Sequence, residues 1–283
     1  MTVFNVSYES ENQYDNEVQE ALFEFLVVPC ENQNQKVVWQ ELSNSMDSSP
    51  FYSRNVYGYD MLCFRISRGF QQFDFKCACK VEVNDETPLP DASRSLSTAE
   101  EMHILSSVDF QVDNFLFLHQ SALTKVPLHL IPEGMRLRKD SSLFEYVSQL
   151  NTRVYEMITY TPNATTVNTK AVDVLASPVG VCQDYSHLLI GILRAQHIPA
   201  RYVSGYLNQG KSYVGDARMH AWIEAYIPNM GWVGFDPTNN LLAHYHHIKV
   251  ADGQDYNDCS PLRGFIRPSS INCTDHSVEV VEQ

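Results

Sequence analysis

Residues 180–207, GVCQDYSHLLIGILRAQHIPARYVSGYL, indicate the fold more clearly than any other stretch of this chain. Their apolar residues fall along one helical face, at Tyr185, Leu188, Leu189, Ile192 and Leu193. The helix is expected to end before Pro199, and ARYVSGYL then predicts a strand. Cys182 therefore opens an amphipathic helix, a position at which the helix N-terminus stabilises a thiolate.

Two later segments predict a β-hairpin, MHAWIEAYIP at 219–228 and GWVGFDPTN at 231–239. If Tyr226 pairs with Met230 around a three-residue loop, His220 lies directly opposite Asp236. Directly opposed residues share a face, with Cβ atoms about 4.5–5.5 Å apart. The same register places further residues on the His220 face, namely Trp222, Glu224 and Trp232.

A carboxylate beside an imidazole fixes the tautomer of the ring and stabilises the imidazolium. Cys182 is therefore the candidate nucleophile, His220 the candidate acid and base, and Asp236 the residue that orients His220. An isolated free cysteine is more often an inert buried thiol. The combination of a helix start, a hairpin histidine and an opposed aspartate favours catalysis.

Three segments resemble signature sequences of the bacterial transglutaminase-like superfamily: GVCQDYSHL (180–188), HAWIEAYIPNMGWVGFDPTN (220–239) and GQDYNDCSPLRG (253–264). This superfamily contains transglutaminases and related cysteine peptidases. The resemblance extends over about residues 115–264, and the first part of the chain resembles the β-rich N-terminal region of bacterial members. It implies a papain-like α+β core with a triad of Cys182, His220 and Asp236.

The periodicity of the chain predicts an α+β protein with three regions. Residues 1–98 predict a small antiparallel β-domain, with strands at 22–29, 61–66 and 73–83; in the last, FDFKCACKVEV, apolar residues alternate with others. Residues 99–138 predict a linker and helical connection. Residues 139–283 predict the catalytic core with a C-terminal extension, and its first helix has a capping box at Ser142 and Glu145.

Four further residues are candidates for the substrate cleft: Trp222, Trp232, Tyr160 and Asp184. The two tryptophans either wall a cleft that excludes water from a thioester or pack the hairpin. Tyr160 is the candidate for the second oxyanion donor, beside the backbone N–H of Cys182. Asp184 either assists the site or complements the helix dipole in the first turn. His187 is expected to be a packed core histidine.

The charge of the chain restricts its partners. Twenty Lys and Arg against 34 Asp and Glu give a net charge of −14, without a basic cluster. Nucleic acid and anionic membranes are therefore not expected partners, whereas a peptide or protein substrate is. The sequence does not indicate an oligomeric state.

The chain has no signal-peptide pattern and no apolar run of membrane-spanning length, so a cytoplasmic protein is expected. Its seven scattered cysteines suit free thiols in a reducing compartment. The histidines at 244, 246 and 247 and the Cys77-x-Cys79 pair lack zinc-site spacing, so neither a metal nor another cofactor is expected.

The predicted chemistry is acyl transfer through a thioester, for which three outcomes remain. Resolution by water gives a cysteine protease or amidase, and resolution by an amine gives a transglutaminase. Hydrolysis is favoured because the chain lacks the additional β-barrel domains of animal transglutaminases. A non-catalytic binding module on the same scaffold is the third interpretation, and the intact set of Cys, His and Asp argues against it.

Overall fold

The computed structural model of the protein describes residues 1–85, 96–137, 141–208 and 218–283. The strands are β1 (Thr2–Val18), β2 (Glu20–Phe25), β3 (Gln35–Asn44), β4 (Phe51–Arg54), β5 (Asp60–Ile66), β6 (Phe70–Val83), β7 (Thr159–Tyr160), β8 (Val179–Gly180), β9 (Ala200–Leu207), β10 (His220–Ile227), β11 (Gly231–Asp236), β12 (Leu241–Leu242), β13 (His247–Gly253), β14 (Leu262–Arg267) and β15 (Asn272–Glu282). The helices are α1 (Thr98–Ser106), α2 (Val108–Asp113), α3 (Phe115–Leu118), α4 (Leu143–Met157), α5 (Ala171–Ala176) and α6 (Cys182–Arg194). None of these helices is both long and apolar enough to cross a membrane.

Two antiparallel sheets form the N-terminal β-domain, in the strand orders β15-β1-β6-β3 and β14-β2-β5-β4. Aromatic rings join the sheets: Phe23 stacks on Phe73 with centroids 4.3 Å apart, and Phe25 stacks on Phe75 at 4.0 Å. The strands β14 and β15 come from the end of the chain, yet they pair with β2 and β1. The predicted C-terminal extension thus completes the N-terminal sheets. The region 99–138, predicted as a linker and helical connection, contains most of α1 together with α2 and α3.

The second part of the fold is a five-stranded antiparallel sheet, in the order β12-β11-β10-β9-β13, with α6 packed against it. The apolar face of α6 is buried, and Leu188, Leu189 and Ile192 have no exposed surface. Fully burying each such side chain stabilises the fold by about 1.5–3 kcal/mol. The capping box predicted for α4 is present, because Ser142 and Glu145 each accept the other's backbone N–H. The predicted α+β fold class is confirmed.

The predicted register of the β10–β11 hairpin is wrong by two residues. Ile223 pairs with Phe235 and Ile227 pairs with Gly231, so the loop is one residue further along the chain. The reason lies in the turn: Asn229 and Gly231 have φ angles of 68° and 75°, a left-handed region that Asn and Gly enter most easily. Since side chains alternate between faces, a shift of two residues leaves each one on its predicted face.

Backbone and amide hydrogen bonds attach the β-domain to the second sheet. Cys30 donates its N–H to the Lys249 carbonyl at 3.0 Å, and the Gln35 side chain bonds both backbone groups of Lys249. The Tyr206 hydroxyl donates to the Val27 carbonyl at 2.5 Å. The β-domain therefore contacts β9 and β13, two strands of the sheet that carries the site.

A charged cluster reinforces this attachment, and its members are Tyr59, Arg201, Glu224, Lys249 and Asp252. Lys249 bridges the two carboxylates, at 2.9 Å from Glu224 and 2.5 Å from Asp252. The Tyr59 hydroxyl, from the β-domain, donates to Asp252 at 2.5 Å. Two cations thus meet two anions, so the polar interior between the domains is balanced in charge.

Candidate active site

Cys182 is the first residue of α6, and one residue, Val181, separates it from the short strand β8. Strand β8 pairs in parallel with β7, with Tyr160 opposite Gly180. The N–H groups of a first helical turn have no partner within the helix and carry partial positive charge. The Cys182 side chain is partly exposed, so a substrate carbonyl can reach it.

Asp184 lies beneath the loop that precedes Cys182, and only 1% of it is exposed. Its Oδ2 accepts the Val181 backbone N–H at 2.8 Å and the Thr165 hydroxyl at 2.6 Å. Burial raises the pKa of this carboxyl, and the two hydrogen bonds act in the opposite direction. The structure thus places Asp184 at the cap of α6, where it holds the loop that presents Cys182.

His220 and Asp236 form a buried pair. Nε2 of His220 lies 2.8 Å from Oδ2 of Asp236, and neither side chain is exposed to solvent. Burial alone would lower the pKa of His220, but the charge and hydrogen bond of Asp236, together with Cys182, raise it to about 10. Burial would likewise raise the pKa of Asp236, but the charge of His220 and the hydrogen bonds from His220 and His247 hold it below its usual value. The pair is therefore an imidazolium and a carboxylate at neutral pH.

The Asp236 carboxylate accepts hydrogen bonds on both oxygens. Oδ1 accepts the backbone N–H groups of Thr238 and Asn239 at 3.0 and 3.2 Å. Besides His220, Oδ2 accepts the Asn239 side-chain amide at 2.9 Å and Nε2 of His247 at 3.1 Å. These donors replace the water that a buried carboxylate loses, and they fix its orientation toward His220.

The ring of His220 links Asp236 to Cys182. Interaction with the Cys182 thiol is among the causes of the raised pKa of His220. Nδ1 of His220 is buried and, within the part of the chain that the structure describes, has no partner at hydrogen-bonding geometry. With Nε2 bound to Asp236, Nδ1 is the nitrogen that remains for proton exchange with Cys182 and a substrate.

His220, Asp236 and His247 are also a candidate metal site, since one ligand atom from each lies within 4.8 Å of the others. Nδ1 of His247 accepts the His244 backbone N–H at 3.3 Å, so the proton of this ring is on Nε2. His220, as an imidazolium, also carries a proton on its Nε2. Both nitrogens that face Asp236 are therefore proton donors, and the donor set fits a hydrogen-bonded network better than a metal ion.

The predicted cleft residues occupy different places. Tyr160 is 37% exposed, and burial, followed by the charge of Cys182, raises its pKa, so its ring lies near the nucleophile. Trp222 is 2% exposed and packs against the rings of His220 and His247, with centroids 6.2 and 5.1 Å away. Trp222 therefore holds the two histidine rings in place by packing rather than lining a substrate cleft.

Trp232 lies at the other end of the hairpin, where it pairs with Tyr226 next to the turn. The Arg201 guanidinium lies 4.3 Å from the centroid of its ring, and Phe117 packs edge-on at 5.2 Å. The structure does not bring Trp232 together with Cys182 or His220. His187 is fully buried, and burial lowers its pKa to about 3; its Nε2 accepts the Tyr256 backbone N–H.

Sequence reasoning missed His247, Asn239 and Thr165 as parts of the site. Asn239 follows Asp236 by three residues, a spacing at which an aspartate accepts backbone N–H groups in a turn, so its contact had a local signal. His247 lies in a histidine-rich stretch whose spacing does not suit a metal site. Nothing in the local sequence indicates which of those histidines turns toward Asp236.

The region that carries the site is similar to known proteins. Residues 133–237 match the profile of the Transglutaminase-like superfamily. The chain is 41% identical over 149 residues to the uncharacterized protein Rv2569c of Mycobacterium tuberculosis, a match that covers 49% of this chain and 48% of that protein. The chain thus spans about half the length of that relative. It is also 42% identical over 65 residues to a protein-glutamine gamma-glutamyltransferase of Pseudomonas aeruginosa, over 21% of this chain and 10% of that enzyme.

One solved structure matches the whole fold. It is described as "a Putative Cysteine Protease from Cytophaga hutchinsonii" and superposes with a TM-score of 0.80 at 21% identity, over 99% of this chain and 90% of that one. The likeness shows that the β-domain and the core occur together in both proteins. The chain therefore contains a core with the transglutaminase-like, papain-like fold, and residues 133–237 are similar to the transglutaminase-like superfamily.

Proposed function

We propose that the chain is a cysteine-dependent acyl-transfer enzyme that hydrolyses amide bonds of peptides or proteins. The observation that carries this proposal is the buried His220–Asp236 pair, 2.8 Å apart, whose imidazole also interacts with a partly exposed cysteine at a helix start. An oriented imidazolium beside a thiol at a helix N-terminus favours the thiolate. No other described cysteine interacts with His220 in this way.

The reaction follows from these positions. The Cys182 thiolate attacks the amide carbonyl carbon, and the resulting oxyanion is held by the backbone N–H of Cys182 and by the hydroxyl of Tyr160. His220 gives its Nδ1 proton to the leaving amine, which departs and leaves a thioester on Cys182. His220 then takes a proton from water, which attacks the thioester and releases the carboxylic acid and the thiolate. Asp236 keeps His220 oriented throughout.

A thiol-directed activity probe and a peptide-library cleavage screen test this proposal directly. Cleavage products and labelling should be found with the native protein and lost in Cys182→Ala, because the site holds one nucleophile. The matched control is Cys30→Ala, a partly buried thiol whose pKa burial raises to about 11. Cleavage that survives in Cys182→Ala contradicts the mechanism. If the native protein shows no cleavage and no labelling, the result favours a binding module.

Amine transfer is the second candidate, because the chain shares a 65-residue segment with a protein-glutamine gamma-glutamyltransferase. Both reactions use the same thioester and differ in the acceptor. With a glutamine-containing or other peptide donor, we expect mainly free acid even in millimolar primary amine. Dominant amine incorporation assigns the chain to the transglutaminases and leaves the roles of Cys182, His220 and Asp236 unchanged.

A metal requirement is tested separately. The reaction written above uses only protein groups and water, so chelators such as EDTA should leave the turnover unchanged. A stoichiometric metal detected by elemental analysis, with turnover that depends on it, overturns this part of the proposal and points to the His220, Asp236 and His247 group.

A further inference from the structure

His247 reaches the active site from a distant strand. Asp236 ends β11 and His247 begins β13, and two strands lie between them in the sheet. Even so, Nε2 of His247 lies 3.1 Å from Oδ2 of Asp236, and His247 is only 6% exposed. Oδ2 is the oxygen that also accepts from His220. The two imidazoles therefore converge on one carboxylate atom.

We propose that His247 is a positioning residue: as a neutral imidazole it donates from Nε2 to Asp236, keeping the carboxylate ionised and turned toward His220. This role rests on the proposed function, since it acts through Asp236 and His220. It adds a fourth member to the site, one that touches neither the substrate nor the thiol.

The tautomer of His247 is set by its other nitrogen. Nδ1 accepts the backbone N–H of His244 at 3.3 Å, and the backbone N–H of His247 donates to the His244 carbonyl at 2.7 Å. This closed turn leaves the ring proton on Nε2, where it faces Asp236. Trp222 packs against the ring in a T-shaped arrangement, with centroids 5.1 Å apart, and limits its rotation.

The charge state of His247 matters as much as its tautomer. Burial lowers the pKa of His247, and the positive charge of His220 lowers it further, against the opposing effect of Asp236. A second imidazolium would compete with His220 for the single negative charge of Asp236. A neutral donor instead stabilises the carboxylate without neutralising it.

Within the described part of the chain, the titratable groups that face this network are those of Cys182, His220, Asp236, His246 and His247. Asp236 faces His220 from β10 and His247 from β13. His220 faces Cys182 from α6, and His247 faces His246 beside it in the chain. Because the hydrogen bond from His247 is one cause that holds the pKa of Asp236 low, removing it allows that pKa to rise. A protonated Asp236 no longer supports the His220 imidazolium, so inactivation in acid should begin at a higher pH.

The test compares His247→Leu with His247→Gln, whose side-chain amide retains an N–H donor. In His247→Leu we expect kcat/KM to fall about 10–100-fold at neutral pH, the range for loss of a hydrogen bond to a charged group. We also expect the acid limb of the pH profile of kcat/KM to move upward by roughly one pH unit. His247→Gln should restore most of the native kcat/KM and most of the native position of the acid limb. The matched control, His129→Leu, replaces an exposed histidine that lies outside the network and should retain the native acid limb.

Two readouts keep this test separate from the proposed function. The pH dependence of Cys182 alkylation by iodoacetamide reports the same network without requiring turnover, so it holds even if no peptide is cleaved. Nitrogen NMR of the native protein at pH 7 should show His247 as the neutral Nε2–H tautomer. An imidazolium at His247, or an alkylation profile in His247→Leu that keeps the native acid limb, overturns the positioning role.

Discussion

Oδ2 of Asp236 accepts from Nε2 of His220 across a diagonal of the hairpin. The observed register, continued from the Ile223–Phe235 pair, places Trp222 rather than His220 opposite Asp236. Diagonal neighbours in an antiparallel pair are still within reach of long side chains. The imidazole spans the diagonal and closes a 2.8 Å hydrogen bond, and Trp222 packs against the same ring. Orientation of His220 therefore depends on this one carboxylate and on the packing behind it.

Asp236→Asn tests this dependence. Asparagine has nearly the same shape but no charge, so it neither stabilises the imidazolium nor selects the tautomer. We expect kcat to fall by about 10²–10⁴-fold, with 10⁴ the loss known for the equivalent change in a serine protease. Steady-state kinetics with a cleaved peptide measures it. Asp255→Asn, which changes a buried aspartate of the same core outside the triad, is the control. A near-native kcat in Asp236→Asn would falsify the orienting role.

The pair also predicts how stability depends on pH. The folded-state pKa of His220 is raised to about 10, whereas an unfolded histidine titrates near 6.5. The stabilisation is therefore fully present below about pH 6.5 and is lost as the pH rises toward about 10. Denaturant unfolding between pH 6 and 10 should show the native protein losing stability relative to Asp236→Asn, in which the His220 pKa is no longer raised by a carboxylate. Parallel curves for the two proteins would contradict an ion pair.

The sequence predicted much of this site because its signals are local. The periodicity of α6 placed Cys182 at a helix start, and the alternation in the hairpin placed His220 and Asp236 on one face. The register was wrong because it depends on which turn residues adopt positive φ. Registers that differ by two residues give the same alternation of faces, so the alternation does not distinguish them. His247 could not be found, since its contact crosses two intervening strands.

The β-domain shows the same limit. Strand β1 was not predicted because its inward positions include Ser10 and Asn12, which break the apolar alternation. Both are 1% exposed, and Asn12 is satisfied by the Phe73 carbonyl and by Thr274 from β15. The partner Thr274 comes from the far end of the chain. A strand with buried polar side chains of this kind can be predicted only when its long-range hydrogen bonds are known.

Selective alkylation tests the reactivity of Cys182. The thiolate is the nucleophile, and a helix N-terminus with an adjacent imidazolium stabilises it. Burial raises the pKa of the thiols of Cys30, Cys63 and Cys259, which opposes their reaction. Iodoacetamide at pH 6, followed by mass spectrometry, should label Cys182 well ahead of the other six cysteines.

The exposed Cys273 is the internal reference for this experiment, because access does not limit its reaction. His220→Ala should slow the labelling of Cys182, since it removes the cation, and should leave Cys273 unaffected. Asp236→Asn should slow Cys182 less, because it acts through the orientation of His220. Equal rates for Cys182 and Cys273 in the native protein at pH 6 would make Cys182 an ordinary thiol.

Gly180→Ala tests the loop that presents the nucleophile. A Cβ at Gly180 would lie 2.5 Å from Oδ2 and 2.6 Å from Cβ of Asp184, closer than real atoms approach. Asp184 is buried and bonded to Val181 and Thr165, so it cannot move without releasing the cap of α6. We expect a loss of about 1–3 kcal/mol in unfolding free energy, as for other overpacked sites. Displacement of Cys182 by about 1 Å should lower kcat/KM on the order of 10²-fold.

Gly134→Ala is the matched control for Gly180→Ala. Its Cβ would meet only the end of the Arg153 side chain, with Nη1 at 2.7 Å, and a flexible side chain can move away. Denaturant unfolding and the Cys182 alkylation rate should therefore be near native in Gly134→Ala and altered in Gly180→Ala. If Gly180→Ala unfolds at the same denaturant concentration as the native protein and its Cys182 is alkylated at the same rate, Asp184 has room to adjust. The position of Cys182 then does not depend on the contact between Gly180 and Asp184.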